Sequence, residues 1–394
     1  MWRLGFFFHK MAFGLLSVFL PLYIVAIGGS LVDIGIMASA ALFFAIPAAF
    51  FWGYICDKTR RYKRYILISF LSAAAFLYVF TLTSSVGMLT LLYIIMSMLH
   101  VAYEAPKNVL IAEFYTREDW ERSYALYEAL VEGGWLIGLL FGFFSSTFGF
   151  DARSTLLLCS GLNLLAFLVS LILVTDPMLI FERRLVSMEK AIGFAYKGVV
   201  IASKLLDGLL LDQKIERDNL YAFCSGLVLF SLASSTLFTP LPIFFSNNLA
   251  LPASAVFIIY ILNSGGGVLG YFLAIGRSVQ LEEKVLIRRI TLFRGVLVFL
   301  LIVFVQIFAY AAILAAAVLI LMGFAYALYF VYTLSLSMEL IPAGKAGLFN
   351  VLISVGGAFG SFLGPFIAQI LGFNYLFLIA GGIFILAYIT FIFS

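Results

Sequence analysis

Charge is what this sequence has least of. Only 11% of its 394 residues are Asp, Glu, Lys or Arg, against about 25% in soluble domains, while 64% are hydrophobic. So little polar surface excludes a chain that faces water on all sides and implies an integral membrane protein. Cysteine is scarce too. Cys56, Cys159 and Cys224 are scattered and form neither a metal-ligand spacing nor a disulfide framework. No nucleophile–base pair, phosphate loop or metal cluster is present, so enzyme chemistry, a metal and a cofactor are not expected. "GGGVLG" at 265–270 fits a dinucleotide fingerprint only formally. That motif needs a strand before it and a soluble helix after it, and here it lies inside an apolar run. The N-terminal "MWRLGFFFHKMAFGLL" has no small-residue cleavage site and reads as a first span.

What the chain does have is long apolar runs. A membrane helix needs roughly 20 apolar residues, and twelve segments qualify: 5–27, 31–55, 65–84, 87–112, 123–148, 154–175, 220–246, 253–276, 289–308, 310–336, 346–371 and 373–393. They are too long and too uniformly apolar for alternating barrel strands. The expected class is an all-α, multi-pass membrane protein. With the N-terminus placed inside, twenty of the 24 lysines and arginines fall in inner segments and only Arg153 falls outside. By the positive-inside rule both termini are expected in the cytoplasm, the chain in the cell membrane. That distribution accounts for the net charge of +4 without a nucleic-acid partner. The expected partners are the bilayer and a small-molecule substrate, with the chain acting as a monomer.

Residues 176–219 are the one long polar interruption. Their mixture of basic and aliphatic residues predicts an amphipathic helix along the inner surface. The chain thus divides into a six-helix bundle at 1–175, a linker at 176–219 and a second six-helix bundle at 220–394. Short matches between the halves support a duplication: Pro21 with Pro240, Gly53 with Gly270, Ala102 with Ala325 and Gly133 with Gly356. Two parallel repeats of six spans predict a substrate site near mid-membrane, between the halves.

The loop after span two, "GYICDKTRRYKRY", resembles the signature of the major facilitator superfamily, with Gly53, Asp57, Lys58 and Arg61 in the matching positions. Arg60 stands where that family usually has a second glycine. The corresponding loop of the second half, "GYFLAIGRS", has Ala274 in place of the acid. "AEFYTREDWERSYA" is similar to the family's inner end of span four, with Glu113 and Arg122 at its acidic and basic positions. The resemblance implies two six-helix bundles working by alternating access. It also implies an inner latch in which Asp57 meets the start of span eleven, near Gly344–Gly347, and bridges to Glu113. Gly53 is expected to allow close helix approach. Asp57 is expected to pair with Arg61. The family's exporter-type glycine pattern is partial in span five, at Gly134, Gly138 and Gly142. It is nearest in span eleven, at Gly356, Gly360, Gly364 and Pro365.

Ionisable residues inside spans are costly and usually functional. Here they gather in the first half: His9 and Lys10 in span one, Glu104 and Lys107 in span four, Glu128 and Glu132 in span five. Glu104 and Lys107 are three apart and Glu128 and Glu132 four apart, so each pair shares a helix face. If every group ionises, this cluster is one positive charge short. A proton, a cationic substrate or His9 would fill the gap, and Glu132 is the expected proton carrier. Arg294 is expected to lie near a span end and snorkel to the interface. Asn108, Asn263, Tyr326, Tyr329 and Asn350 are candidates for substrate binding. The leading expectation is a proton-coupled secondary transporter, such as an antiporter exporting an amphiphilic or cationic compound. Proton-linked uptake of a sugar or organic acid is the alternative, and a transporter-like receptor without flux is the other.

Overall fold

The computed structural model describes residues 2–114, 120–176, 216–275, 283–306, 310–340 and 347–394. These form twelve membrane helices, numbered by span: α1 Leu4–Ala26, α2 Leu31–Thr59, α3 Tyr62–Phe80, α4 Val86–His100 continued by Glu104–Phe114, α5 Trp120–Thr147 and α6 Ala152–Leu173 in the first half. The second half has α7 Glu216–Phe238, α8 Ala253–Ile275, α9 Glu283–Gln306, α10 Ala311–Leu340, α11 Gly347–Ile370 and α12 Phe373–Ile392. Eleven are long and apolar enough to cross a bilayer. The twelfth, α9, also runs 24 residues but carries Lys284, Arg288, Arg289 and Arg294. It starts six residues ahead of its expected boundary at 289, because its amphipathic first turns continue the apolar helix. The predicted linker helix and the inner loop with Gly344 lie outside the described residues, as do the side chains of Glu113 and Arg122.

Local chemistry explains the helix ends and breaks. At the start of α2, Ser30 and Asp33 form a reciprocal cap: Ser30 N–H donates to the Asp33 carboxylate (2.8 Å) and Asp33 N–H to the Ser30 hydroxyl (3.2 Å), satisfying amides that the helix leaves open. At its other end, Arg60 adopts φ 53° and donates its N–H to the Cys56 carbonyl (2.8 Å). This is the left-handed position that favours glycine. The turn therefore keeps the shape that glycine usually gives it, at a backbone cost of roughly 1–2 kcal/mol. Pro106 breaks α4. It has no N–H for the Ala102 carbonyl, and a 3-10 turn at Val101–Tyr103 separates the two pieces. Side chains serve nearby carbonyls: Trp52 Nε1–H donates to Met98 (2.8 Å) and the Ser69 hydroxyl to His100 (2.7 Å).

Helix approach is set by glycines. A Cβ on Gly134 would overlap the Phe7 carbonyl, and one on Gly138 the Met11 carbonyl, so α5 lies against the α1 backbone. In the second half, Gly356, Gly360 and Gly364 abut the carbonyls of Val228, Leu232 and Thr236, so α11 lies on α7 in the same way. The repeat is real, but the sequence match of Gly133 with Gly356 is one residue out. A Cβ on Gly133 meets nothing, and Gly134 is the structural counterpart. Gly53 is a further correction. A Cβ there also meets nothing within 4 Å, because no neighbouring backbone runs alongside that turn of α2. Its partner in the repeat, Gly270, does pack, against Phe324 and Ala327 of α10.

The halves meet along two helix pairs, α2 with α11 and α5 with α8. At the end away from the termini, Gly35 sits on Ser361 and Pro365, and Val32 N–H donates to Gln369 Oε1 (2.9 Å). Gly142 faces the ring of Phe257 across the α5–α8 seam. The distal end is thus closed. Gly138→Leu should prevent close α1–α5 packing and sharply lower the thermal unfolding temperature in detergent. Gly133→Ala should leave that temperature unchanged or raise it, since alanine is favoured over glycine in a helix by roughly 0.5–1 kcal/mol.

Candidate substrate and proton site

The close approach of α5 to α1 brings the two-span charge pattern into one place. Lys10 of α1 lies within electrostatic reach of Glu104, Glu128, Glu132 and Lys107. Lys107 Nζ is 2.7 Å from Glu104 Oε2, so the pair predicted from spacing is formed. Tyr103, from the 3-10 turn, lies between the two ammonium groups. Its ring centroid is 5.8 Å from Lys10 Nζ and 6.0 Å from Lys107 Nζ, and the Tyr127 ring is 5.5 Å from Lys107 Nζ. Rings at this range stabilise a cation by about 0.5–2 kcal/mol each when water is excluded. The break in α4 is therefore functional geometry: it turns Tyr103, Glu104 and Lys107 onto the same face.

Glu132 reaches across the molecule. Its Oε1 accepts a 2.6 Å hydrogen bond from the Ser264 hydroxyl of α8, so a charged residue of the first half is tied to the second near mid-membrane. Tyr271 of α8 and Tyr326 of α10 face Glu128 and Glu132 from the opposite side. Tyr326 is 41% exposed although it lies mid-helix beside these carboxylates, so it borders the space between the halves. Ala129, Tyr271 and Ala327 pack together beneath it.

His9 is not in that space. It is fully buried, with Nδ1 2.6 Å from Asn163 Oδ1 and Nε2 3.2 Å from His100 Nδ1. Asn163 Nδ2 donates to the Cys159 carbonyl (2.9 Å), which leaves Oδ1 as acceptor. His9 Nδ1 therefore donates to Asn163, and His9 Nε2 and His100 Nδ1 share one proton between them. The two rings are stacked 4.8 Å apart at 24°. His100 and Asn163 were not identified from the sequence. The available signal was that both histidines of the chain lie within apolar spans.

A further buried cation, Arg294, lies in the second half. It does not snorkel: it is 1% exposed, enclosed eleven residues into α9. Its guanidinium lies over Phe230, Phe384, Tyr326 and Phe238, at 4.9, 5.1, 5.4 and 5.8 Å. These rings come from α7, α10 and α12, a meeting that the sequence did not reveal. Among the described residues no carboxylate acts on Arg294, so the cluster of Lys10 and Lys107 with Glu104, Glu128 and Glu132 stays one positive charge short.

The other expected residues separate. Tyr329 is 3% exposed and stacks on Phe230 at 3.4 Å, facing the bundle core. Asn263 donates its amide to the Leu319 carbonyl (2.6 Å), fastening α8 to α10. Asn108 is half-buried on the second piece of α4, and Asn350 is exposed on α11. Asp57, Lys58 and Arg61 are exposed at the α2–α3 turn. The nearest charge acting on Asp57 is that of Arg60, not the expected Arg61. The latch partners on span eleven and at Glu113 fall outside the described residues.

Removing one member of the α4 pair should expose its value. Lys107→Met should lower unfolding stability by about 1 kcal/mol, because Glu104 is partly screened by solvent. Lys107→Met with Glu104→Gln should recover most of it, as read by thermal melts of all three proteins.

A family model described as Major Facilitator Superfamily matches residues 4–351. No curated protein matches the chain. Among solved structures, the nucleoside transporter NupG, crystallised as a mutant, is similar with a TM-score of 0.71 and 14% identity. The match covers 99% of this chain and 98% of that one. A mutant peptide transporter POT in complex with sulfate is similar at 0.73 and 12%, covering 99% and 92%.

Proposed function

The chain belongs to the Major Facilitator Superfamily and is a transporter rather than an enzyme. From that premise we propose that it moves a small organic solute through the cell membrane by alternating access of its two six-helix halves, coupled to protons, with both termini in the cytoplasm. The observation that carries this reading is the 2.6 Å bond from Ser264 to Glu132. A carboxylate that bonds across the seam between the halves has a different environment whenever the seam opens. Losing the Ser264 donor leaves a buried carboxylate under-solvated, which favours its protonation. Proton uptake and seam opening are thereby linked through one residue. The similar structures are named for a nucleoside and a peptide, both polar organic solutes. Lys10 and Lys107 leave one of the carboxylates Glu104, Glu128 and Glu132 without a cation, and a proton on Glu132 fills that place. Export and uptake differ only in which gradient drives the cycle.

The test is transport by purified protein in proteoliposomes under an imposed pH gradient. Glu132→Gln is expected to abolish proton-driven accumulation and to spare solute exchange at equal pH. Uphill transport unchanged in that variant would remove Glu132 from the coupling step. Absence of flux under any gradient would leave the receptor reading standing instead.

A further inference from the structure

Among the described residues Arg294 has no counter-ion. The groups acting on its charge are the phenols of Tyr326 and Tyr329, its immediate surroundings are four aromatic rings, and Nε and Nη1 make no hydrogen bond. The buried Tyr329 hydroxyl, from the helix facing it, is also without a hydrogen bond. Burying a cation away from water costs several kcal/mol unless it is paired. Stacking on rings offsets only part of that. For packing alone, an apolar side chain of similar length serves better, since buried charges are commonly replaced by hydrophobic residues without loss. A deeply placed guanidinium with two open donors is a group prepared for an anion.

Position says how the anion arrives. Tyr326 is 5.4 Å from the guanidinium, is 41% exposed, and faces Glu128 and Glu132 on its other side. It is the side chain between Arg294 and the central space. Phe330 stacks against it at 6.2 Å and 27°, so aromatic surface borders the guanidinium on this side. The carboxylates of the first half repel an anion and face the ammonium groups of Lys10 and Lys107. This leaves Arg294 as the cation without an acidic residue beside it among the described residues.

We propose that Arg294 binds the negative group of the transported substrate, and that the substrate is a small organic acid with an apolar or aromatic body. The proposal rests on the transport reading above and narrows its substrate class. Tyr326 is the positioning residue that admits the anion, and the Phe230 and Phe384 rings hold the guanidinium.

The full-length protein in detergent is titrated with benzoate, 3-phenylpropionate and octanoate, and with the amide and amine matching each, at fixed pH and ionic strength. Thermal stability and tryptophan fluorescence are the readouts. At least one acid is expected to raise the melting temperature while its amide and amine do not. Arg294→Met, free of an unpaired buried charge, is expected to melt at or above the wild-type temperature and to bind that acid at least about tenfold more weakly. Arg294→Lys is expected to keep part of the response, and Tyr326→Ala to keep it and bind faster. Equal stabilisation by acid, amide and amine would overturn the proposal, as would no response to any acid. It would also fail if Arg294→Met kept the acid response or unfolded, since unfolding would make the arginine a structural group. Proton-coupled flux of a solute with no acidic group would overturn this inference and leave the transport reading intact. Acid binding through Arg294 without flux would overturn the transport reading alone.

Discussion

Much of this molecule depends on the approach of α5 to the backbone of α1. At Gly134 and Gly138 there is no side chain between the helices, and the carbonyls of Phe7 and Met11 fill that space. In a bilayer, helices gain little from hiding apolar surface, because lipid tails are equally apolar. Close van der Waals contact is then the main attraction, and small residues permit it. The consequence is chemical. Lys10 lies between the two contact points on α1, so the packing that joins the helices also holds an ammonium group against Glu128 and Glu132. The second half repeats the device with Gly356, Gly360 and Gly364 on α7, but there the charge is contributed by Arg294 of α9.

The two halves solve the cost of buried charge differently. The first gathers opposite charges: Lys107 and Glu104 pair directly, and Tyr103 lies between the two ammonium groups. The second surrounds a single guanidinium with aromatic faces and gives it no acidic neighbour. The Glu132–Ser264 bond crosses between these two environments. It places a titratable group of the paired half at the boundary of the unpaired one, where movement of one half relative to the other changes what surrounds it.

Helix positions were legible because a membrane leaves few options. Apolar runs of about 20 residues must be helical, since a bilayer provides no partner for free backbone groups. Predicted spans such as 31–55 and 253–276 agree with the observed helices to within a few residues. The break in α4 was also readable from Pro106, whose missing N–H has one consequence wherever the helix lies. Arg294 was misjudged because its place was inferred from its own helix alone. What buries the arginine is the ring of Phe230, Phe238, Tyr326 and Phe384 from three other helices. Gly53 and Gly133 were misread for a related reason. A glycine in a sequence shows that close approach is permitted, not that another backbone is present.

The sequence by itself determined the membrane class, the twelve spans, the doubled architecture and the pairing of Glu104 with Lys107, because each follows from local composition or from spacing along one helix. Only the tertiary structure decided which charges face each other across helices. It closed His9 into a chain of bonds with His100 and Asn163, joined Glu132 to Ser264 across the seam, and left Arg294 among rings. The physical reason is that rotation of one helix about its axis relative to its neighbours costs little locally. It is set by where two backbones touch, and those contacts lie far apart in the chain.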